Sequence, residues 1–307
     1  MPEWIVERGI GETRYALVDG EEIVEAQVEL EEIVPAGRVL EAKLTTLKPR
    51  TIAVDGTGNE YLLAKVPSNV TEGETLQIQV IRSGIPGAEP WKRALARPAS
   101  DNPGKDIEKE TKHGSLPDSW NDLIEQARSG IVRFEGGELR ISPTPAMTLI
   151  DVDGYLGPAE LAVRGAAEAA KAIRRLDIGG PIGIDLPTSG SKAARQDAAA
   201  AIDAVLPQPF ERTAVNGFGF VQIVRPRRRA SLIELAQERA PFEARALLRR
   251  AQSEQPGGKR LVAHPAVIAV LEAKPGWIEK LARKLGGEIE LRPDASLPMS
   301  GGYATSL

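Results

Sequence analysis

Three aspartates in the middle of the chain have the spacing of a cation site. Asp151 and Asp153 are two residues apart in the run TLIDVDG, and Asp185 ends a second apolar run, GPIGIDLP. Side chains two apart in a strand share a face, so Asp151 and Asp153 lie side by side. If the two runs are neighbouring strands, all three carboxylates meet at the carboxyl edge of a sheet. An Asp at a strand end is also common for turn reasons alone, and the spacing leaves that alternative open.

Carboxylates gathered at one sheet edge predict metal chemistry. Like charges so close repel each other and need a cation, and hard oxygen ligands suit Mg²⁺, with Mn²⁺ as an alternative. Such an ion activates water and neutralises charge on a phosphodiester. The expected activity is therefore hydrolysis of a phosphate ester.

Basic residues after the aspartates favour a polyanionic partner. Residues 211–260 hold eleven Lys/Arg against five Glu, whereas residues 1–40 hold ten Asp/Glu against three Arg. Arg212 lies just before a predicted strand, in a position that suits phosphate contacts. The next strand runs into a basic stretch that suits them equally, namely Arg225, Arg227, Arg228 and Arg229. A solvated surface that balances the acidic end explains the same pattern, and both interpretations stay open.

The elements that must position the aspartates lie between residues 118 and 230, in the predicted order β-β-β-α-β-α-β-β. An alanine-rich helix over 158–176, ended by Gly179-Gly180, separates the Asp151 strand from the Asp185 strand. A strand–helix–strand connection of this kind is right-handed and makes its two strands parallel. The sequence therefore predicts an α/β domain with the aspartates on adjacent strands.

The rest of the chain divides at changes in composition. Residues 1–36 contain three short β strands with a hairpin at Asp19-Gly20, and 37–97 contain β strands about ten residues apart, typical of a small OB-like barrel. Residues 98–117 are charged, rich in Pro and Gly, and predicted to be a flexible linker. Residues 231–307 are predicted to be mainly helical, with helices at 231–239, 242–253, 265–273 and 277–285, a strand at EIELR and a polar tail.

Composition excludes several classes of protein. The chain has no cysteine and two histidines, which excludes disulfides, thiol catalysis and Cys-based zinc sites. The sequence contains no run of about 18 apolar residues, so no membrane span is predicted, and no signal peptide is visible. A cytoplasmic protein without membrane partners is therefore expected. Aromatic residues make up 4% of the chain, which disfavours an extended base-stacking platform.

Several segments resemble the ribonuclease E/G family. GGELRISPTPAMTLIDVDG, AAEAAKAIRRLDIGGPIGIDLP and ERTAVNGFGFVQIVRPRRR are similar to the family's two aspartate-bearing strands, the helix between them and the basic exit. Three other segments resemble the family more loosely. The N-terminal strands and the barrel segment are similar to its N-terminal strands and RNA-binding insertion, and its C-terminal segment is similar to AHPAVIAVLEAKPGWIEKLARKLGGEIELRPDASL. The resemblance implies an RNase H/DNase I-like mixed sheet with an inserted OB-like RNA-binding barrel.

The resemblance also implies an activity and its residues. The family cleaves single-stranded RNA with Mg²⁺ and leaves 5′-phosphate and 3′-hydroxyl ends. Asp151 and Asp185 match its metal-binding aspartates, and Asp153 matches a supporting position that is usually Asn. Contacts with RNA are implied for Arg212, for Lys92 at the end of the barrel segment and, loosely, for a stacking aromatic at Tyr61. The run NEYLLAKV by itself favours the alternative that Tyr61 helps to fill the barrel.

Departures from the family pattern leave a second function open. The zinc-binding Cys-x-x-Cys is absent, so a homo-oligomer would have to form without a zinc link, and the 5′-end sensor segment is absent. The first hypothesis is a compact metal-dependent endoribonuclease for RNA processing or decay. The second is a catalytically decayed RNA-binding or assembly protein on the same scaffold. The same residues would also serve a DNA nuclease.

Overall fold

The structure is a computed structural model that describes residues 1–64, 70–87, 91–99 and 111–307. Its secondary structure confirms a mixed α/β chain with one closed five-stranded barrel. Most of the predicted linker, residues 100–110, lies outside the described residues, and its flexibility stays a prediction. Within the described ranges, no helix is both long and apolar enough to cross a membrane.

The N-terminal strands form a four-stranded sheet with a strand from beyond the barrel. In sheet order its members are β3 (Glu22–Leu30), β2 (Glu12–Asp19), β1 (Glu3–Arg8) and β9 (Lys112–His113). The hairpin between β2 and β3 turns at Gly20, whose φ of 65° suits glycine. Ala16, Ala26 and Val28 on one face are buried in the same apolar core as the central α/β elements. These strands therefore pack with the central domain.

The closed barrel occupies residues 39–98, as the strand spacing predicts. Its strands are β4 (Val39–Thr46), β5 (Ile52–Asp55), β6 (Glu60–Leu63), β7 (Thr75–Arg82) and β8 (Ala94–Pro98). The order around the barrel is β4-β5-β6-β8-β7, with β6 and β8 parallel and the other neighbours antiparallel. Leu44, Tyr61 and Ile78 fill the interior, each at most 1% exposed.

A six-stranded mixed sheet forms the centre of the molecule. Its elements in chain order are α1 (Ser119–Ser129), β10 (Ile131–Phe134), β11 (Gly137–Pro143), β12 (Thr148–Gly154), α2 (Pro158–Arg175), β13 (Gly180–Asp185), α3 (Lys192–Val205), β14 (Glu211–Arg212) and β15 (Phe220–Arg225). The sheet order is β10-β11-β12-β13-β15-β14. Strands β12 and β13, joined by α2, are parallel neighbours, as the crossover predicts.

Side chains of this sheet alternate between a buried and an exposed side. Ile150 and Ile184 are buried, and Val152 packs so closely on α2 that a Cβ added at Gly165 would lie 2.3 Å from it. Strand alternation places the intervening residues on the other side of the sheet. We call that side the open face; it carries the exposed residues Arg133, Arg140, Leu149, Asp151, Asp153, Asp185 and Val224.

The C-terminal segment contains more strand than the sequence predicts. Its elements are α4 (Leu232–Gln237), α5 (Arg239–Gln252), β16 (Lys259–Ala263), α6 (Pro265–Glu272), α7 (Pro275–Leu285), β17 (Ile289–Pro293) and β18 (Tyr303–Ser306). The predicted strand EIELR is β17, but β16 was not foreseen, and the predicted polar tail contains β18. These three strands form a sheet in the order β17-β16-β18. Pro241 does not separate two helices as predicted; it lies in the first turn of α5, where proline is tolerated.

Candidate functional site

Asp151 and Asp185 lie directly beside each other on the open face. They are register partners across the parallel strands β12 and β13, at the carboxyl ends of both. Asp153 follows two residues further along β12, and all three residues are exposed. The pairing of Asp151 with Asp185 is the arrangement that the sequence predicts. Carboxylates on the carboxyl edge of parallel strands are open to a ligand from solvent.

The electrostatics of this edge show uncompensated negative charge. Burial raises the pKa of Asp151, and the charges of Asp153 and Asp185 raise it further, while Arg140 opposes them. A raised pKa means that the ionised carboxylate is held in an unfavourable environment. A cation placed between these side chains would remove that cost.

Arg140 and Glu138 belong to the same surface and were missed at the sequence level. Across β11 and β12, Arg140 is the register partner of Asp151 and Glu138 that of Asp153. Arg140 Nη2 donates a hydrogen bond to Glu138 Oε1 at 2.6 Å. The alternation in GGELR, after the predicted hairpin at Gly136-Gly137, would have placed both on the open face once the hairpin was paired with the Asp151 strand.

A complete three-ligand metal cluster is not seen. Within the described parts of the chain, no group of three or more His, Cys, Asp or Glu side chains is arranged to hold a metal ion. The strand register brings Asp151 beside Asp185, and the expectation that Asp153 joins them around one ion stays a prediction. Mg²⁺ commonly takes one or two carboxylates and completes its shell with water and substrate phosphate. The donor set of this pair fits such a site.

The pKa of Asp151 gives a direct test of this electrostatic description. Replacing Arg140 with Gln removes the cation whose charge opposes the raised pKa, so the pKa of Asp151 should rise further. Replacing Asp153 with Asn should lower it. Carboxyl ¹³C NMR titration of the protein without divalent ions measures both shifts. Shifts of the same sign in the two variants would contradict the description.

The apolar surroundings of the aspartates include aromatic rings that the sequence analysis did not single out. On the open face, the Phe220 ring and Leu149 meet over Gly183, where an added Cβ would lie 2.6 Å from the ring and 3.0 Å from Leu149. Phe220 is also the register partner of Asp185. Tyr155 directly follows β12, Phe218 lies two residues before β15, and each of these side chains is 82% exposed.

Arg212 does not join the aspartates. It is the register partner of Ile223, which is fully buried on the helix-covered side of the sheet. Its guanidinium donates two hydrogen bonds to Asp203 of α3, which raises the pKa of Arg212. The side chain of Arg212 is thus paired with Asp203 on the other side of the sheet from the aspartates, and its contact with RNA stays a prediction.

The basic stretch after β15 lies at the opposite end of the strands. Arg225 pairs in register with Gly180, five residues from the pair of Phe220 and Asp185, which is roughly 17 Å along the sheet. Arg225 donates to the carbonyl of Ile178 and Arg227 is paired with Glu234. These two predicted phosphate contacts are thus used within the fold.

Arg228 is the exception in that basic stretch. Its side chain is exposed, and no partner for its guanidinium is found in the described ranges. Its carbonyl accepts a hydrogen bond from Ser83 N at 2.9 Å, which places Arg228 where the barrel meets the central domain. Arg229, by contrast, is buried and paired with Asp177 at 3.1 Å.

The two barrel residues implied in RNA contact, Lys92 and Tyr61, differ in their surroundings. Lys92 and Arg93 line an open cleft of about 460 Å³ between the barrel and the loop after β3. The ring of Tyr61 is 1% exposed, and its hydroxyl donates to Asp55 Oδ2 at 2.7 Å. Burial raises the pKa of Tyr61, and the bond to Asp55 raises it further. The prediction of a stacking role for Tyr61 is therefore corrected: the ring fills the barrel.

Fold and site together define a mixed α/β protein with a closed five-stranded barrel and a register-matched aspartate pair on an open sheet face. No protein-family model matches the chain, and a search of the curated proteins finds no similar sequence. Its function is therefore inferred from the placement and chemistry of its own side chains.

Proposed function

We propose that the chain is a metal-dependent endoribonuclease that cleaves single-stranded RNA and leaves 5′-phosphate and 3′-hydroxyl ends. The observation that carries the proposal is the register pairing of Asp151 with Asp185 at the carboxyl ends of two parallel strands. Two adjacent exposed carboxylates with a raised pKa at one of them are a suitable site for a divalent cation. We propose further that the central sheet is of the RNase H/DNase I-like type and that the chain is a short relative of ribonuclease E/G.

Each acidic residue has a distinct proposed role. Asp151 and Asp185 would hold Mg²⁺ or Mn²⁺, which when bound supplies an activated water and neutralises charge on the phosphodiester. Asp153 lies two residues beyond Asp151 on the same face of β12 and would orient a water or a substrate hydroxyl. Arg140 stands beside Asp151 and offers a cation to a non-bridging phosphate oxygen.

The barrel is proposed to guide the RNA strand. Its third and fifth strands are parallel and its first and fourth close the barrel, an order that supports the proposed OB-like fold. Lys92 and Arg93 line its cleft, and Arg93 Nε forms an ion pair with Glu60 Oε2 at 3.1 Å. Arg228 at the barrel junction adds an exposed cation on the same part of the molecule. These residues suit contacts with the phosphate backbone.

A second candidate is an RNA-binding or assembly protein that has lost catalysis. Two observations favour it: the ring of Tyr61 is buried, and the expected third carboxylate does not complete a metal cluster in the described residues. Retention of two facing carboxylates opposes it, because folding would be easier without such like charges. Metal binding separates the two candidates.

Metal dependence is the direct test of the proposed function. We expect cleavage of a fluorophore-labelled single-stranded RNA in Mg²⁺ or Mn²⁺ and none in EDTA. Either ion should also raise the melting temperature, since ligand at about 100 times its Kd stabilises a protein by roughly 2.7 kcal/mol. Asp151→Asn/Asp185→Asn should abolish both effects. No cleavage and no thermal shift in either ion, with salt-sensitive RNA binding intact, would favour the decayed protein.

A further inference from the structure

Tyr155 and Phe218 are the most exposed of the chain's thirteen aromatic residues. Each is 82% exposed, whereas Trp120, Tyr61 and Trp277 are almost fully buried. Leaving such rings in water forfeits the stabilisation that burial would give. Both residues lie next to the sheet edge that carries the aspartates, and a role in binding would explain their exposure.

The strand register places both residues beyond the aspartates in the same direction. Tyr155 comes four residues after Asp151, and Phe218 comes two residues before Phe220, the antiparallel partner of Asp185. Because β13 lies between β12 and β15, the two aromatic residues are on either side of Asp185. Two strand spacings separate their backbones laterally by roughly 10 Å.

Phe218 is presented by a turn with a fixed backbone. Asn216 Oδ1 accepts hydrogen bonds from Phe218 N at 2.9 Å and from Phe220 N at 3.0 Å. Gly219 has φ of 95° and packs against the backbone just after β13, so that an added Cβ would lie 2.1 Å from the Leu186 carbonyl oxygen. The phenyl ring is therefore held outside the fold by ordered backbone rather than by a loose loop.

Tyr155 is anchored in a comparable way. Its backbone N–H donates to the Gly136 carbonyl at 3.1 Å. The preceding Gly154 lies so close to the β10–β11 hairpin that an added Cβ would be 2.2 Å from the same carbonyl. Two anchored positions with exposed rings thus lie beyond the carboxylates, one on each side of Asp185.

We infer that Tyr155 and Phe218 are stacking residues that hold unpaired bases just beyond the aspartate pair, one on each side of Asp185. This inference rests on the proposed function, since it names how that site would take its substrate. Among the described residues of the open face, Arg140 and Arg133 both lie within ion-pair distance of Glu138, whereas a base presents a neutral π face that stacks on aromatic rings. Bases inside a duplex are already stacked on each other, so the two rings select single-stranded RNA.

Base-dependent binding tests the inference. The full chain with Asp151→Asn/Asp185→Asn serves as a non-cleaving background for a labelled single-stranded RNA and for an abasic strand of the same length. Adding Tyr155→Ala and Phe218→Ala should weaken binding of the base-bearing RNA about tenfold or more and leave the abasic strand nearly unchanged. Tyr303→Ala, which removes a half-exposed ring in β18, is the matched control and should change neither.

Conservative changes and oligomeric state complete the test. Tyr155→Phe and Phe218→Tyr keep the rings and should keep the affinity. Equal weakening on both strands, or no weakening, overturns the inference. So does a wild-type dimer that the two alanine changes dissociate in sedimentation, because the rings would then serve a second copy of the chain.

Binding is measured without cleavage, so the two proposals fail separately. If RNA affinity depends on the rings but wild-type protein cleaves nothing in any metal, stacking stands and the nuclease proposal fails. If metal-dependent cleavage occurs and the alanine variants bind both strands as before, the stacking inference alone fails.

Discussion

Cleavage of single-stranded RNA should fall about a thousandfold or more when Asp185 is replaced with Asn, while RNA binding is kept. Asn has the same shape but no charge, so the Asp151–Asp185 pair loses half of its negative charge and one metal ligand. A thousandfold loss corresponds to about 4 kcal/mol of transition-state stabilisation, a magnitude expected of a group that holds the catalytic ion. Initial rates on the labelled RNA at saturating Mg²⁺ measure it.

The matched control for this variant is Asp197→Asn. Asp197 is an exposed aspartate of α3, on the helix side of the sheet, and its replacement removes the same charge from the same domain. It should leave the rate within about twofold. Because Asp185→Asn relieves repulsion with Asp151, its melting temperature without metal should be no lower than that of the wild type. Wild-type cleavage by Asp185→Asn would contradict the proposed role of the pair.

The position of the aspartates was predictable because local patterns determine the crossover. The alanine-rich segment has apolar residues at helical spacing, and Gly179-Gly180 ends it just before a short buried run. A helix between two such strands forces them to be parallel, and neighbouring strands then bring Asp151 beside Asp185. No long-range information beyond the strand–helix–strand rule was needed.

The partners of the arginines were not predictable in the same way. A run of basic residues looks the same whether it faces solvent or pairs within the fold. Arg227 is paired with Glu234, and Arg229 with Asp177, 52 residues earlier in the chain. Arg212 is paired with Asp203 of the preceding helix. Such pairings depend on tertiary packing, which composition and charge patterning do not encode.

Residues outside regular charge or motif patterns were also missed. Tyr155 and Phe218 carry no sequence feature that separates them from core aromatics; only their exposure does. Strand β16 was missed because its pairing partners, β17 and β18, lie about 30 and 45 residues further along. Tyr61 is the opposite case, because its place in the apolar run of a barrel strand favours the barrel interior, and there the structure places its ring.

The largest effect on stability is expected from Glu7→Gln. Glu7 Oε1 accepts hydrogen bonds from Arg14 at 2.7 Å and from Arg249 of α5 at 2.9 Å, while Glu12 accepts from Arg14 at 2.6 Å and from Arg245 of α5 at 3.1 Å. Arg14 is 1% exposed and Arg245 2%. This network of three arginines and two glutamates ties the first hairpin to the C-terminal segment.

Removing one carboxylate leaves three guanidinium groups with a single carboxylate in a partly buried network. Breaking a buried ion pair from one side costs about 3–5 kcal/mol, so Glu7→Gln should lower the free energy of unfolding by about 3 kcal/mol. Glu290→Gln breaks the exposed pair with Arg260 and should cost less than about 1 kcal/mol. Urea unfolding followed by circular dichroism compares the two variants.

Acidification should reduce the difference in free energy of unfolding between the wild type and Glu7→Gln. Burial alone raises the pKa of Glu7, but hydrogen bonds from Arg249 and from the Leu116 N–H, with the charges of Arg249 and Arg14, hold that pKa below its usual range. A group whose folded pKa is lowered stabilises the fold above its unfolded pKa, near 4.3, and loses that contribution as the pH falls through the folded value. The stability difference should therefore be largest near neutral pH and shrink below about pH 4.3. A difference that stays the same at every pH would show that Glu7 acts by packing rather than by charge, and one that grows on acidification would show that the pKa of Glu7 is raised on folding.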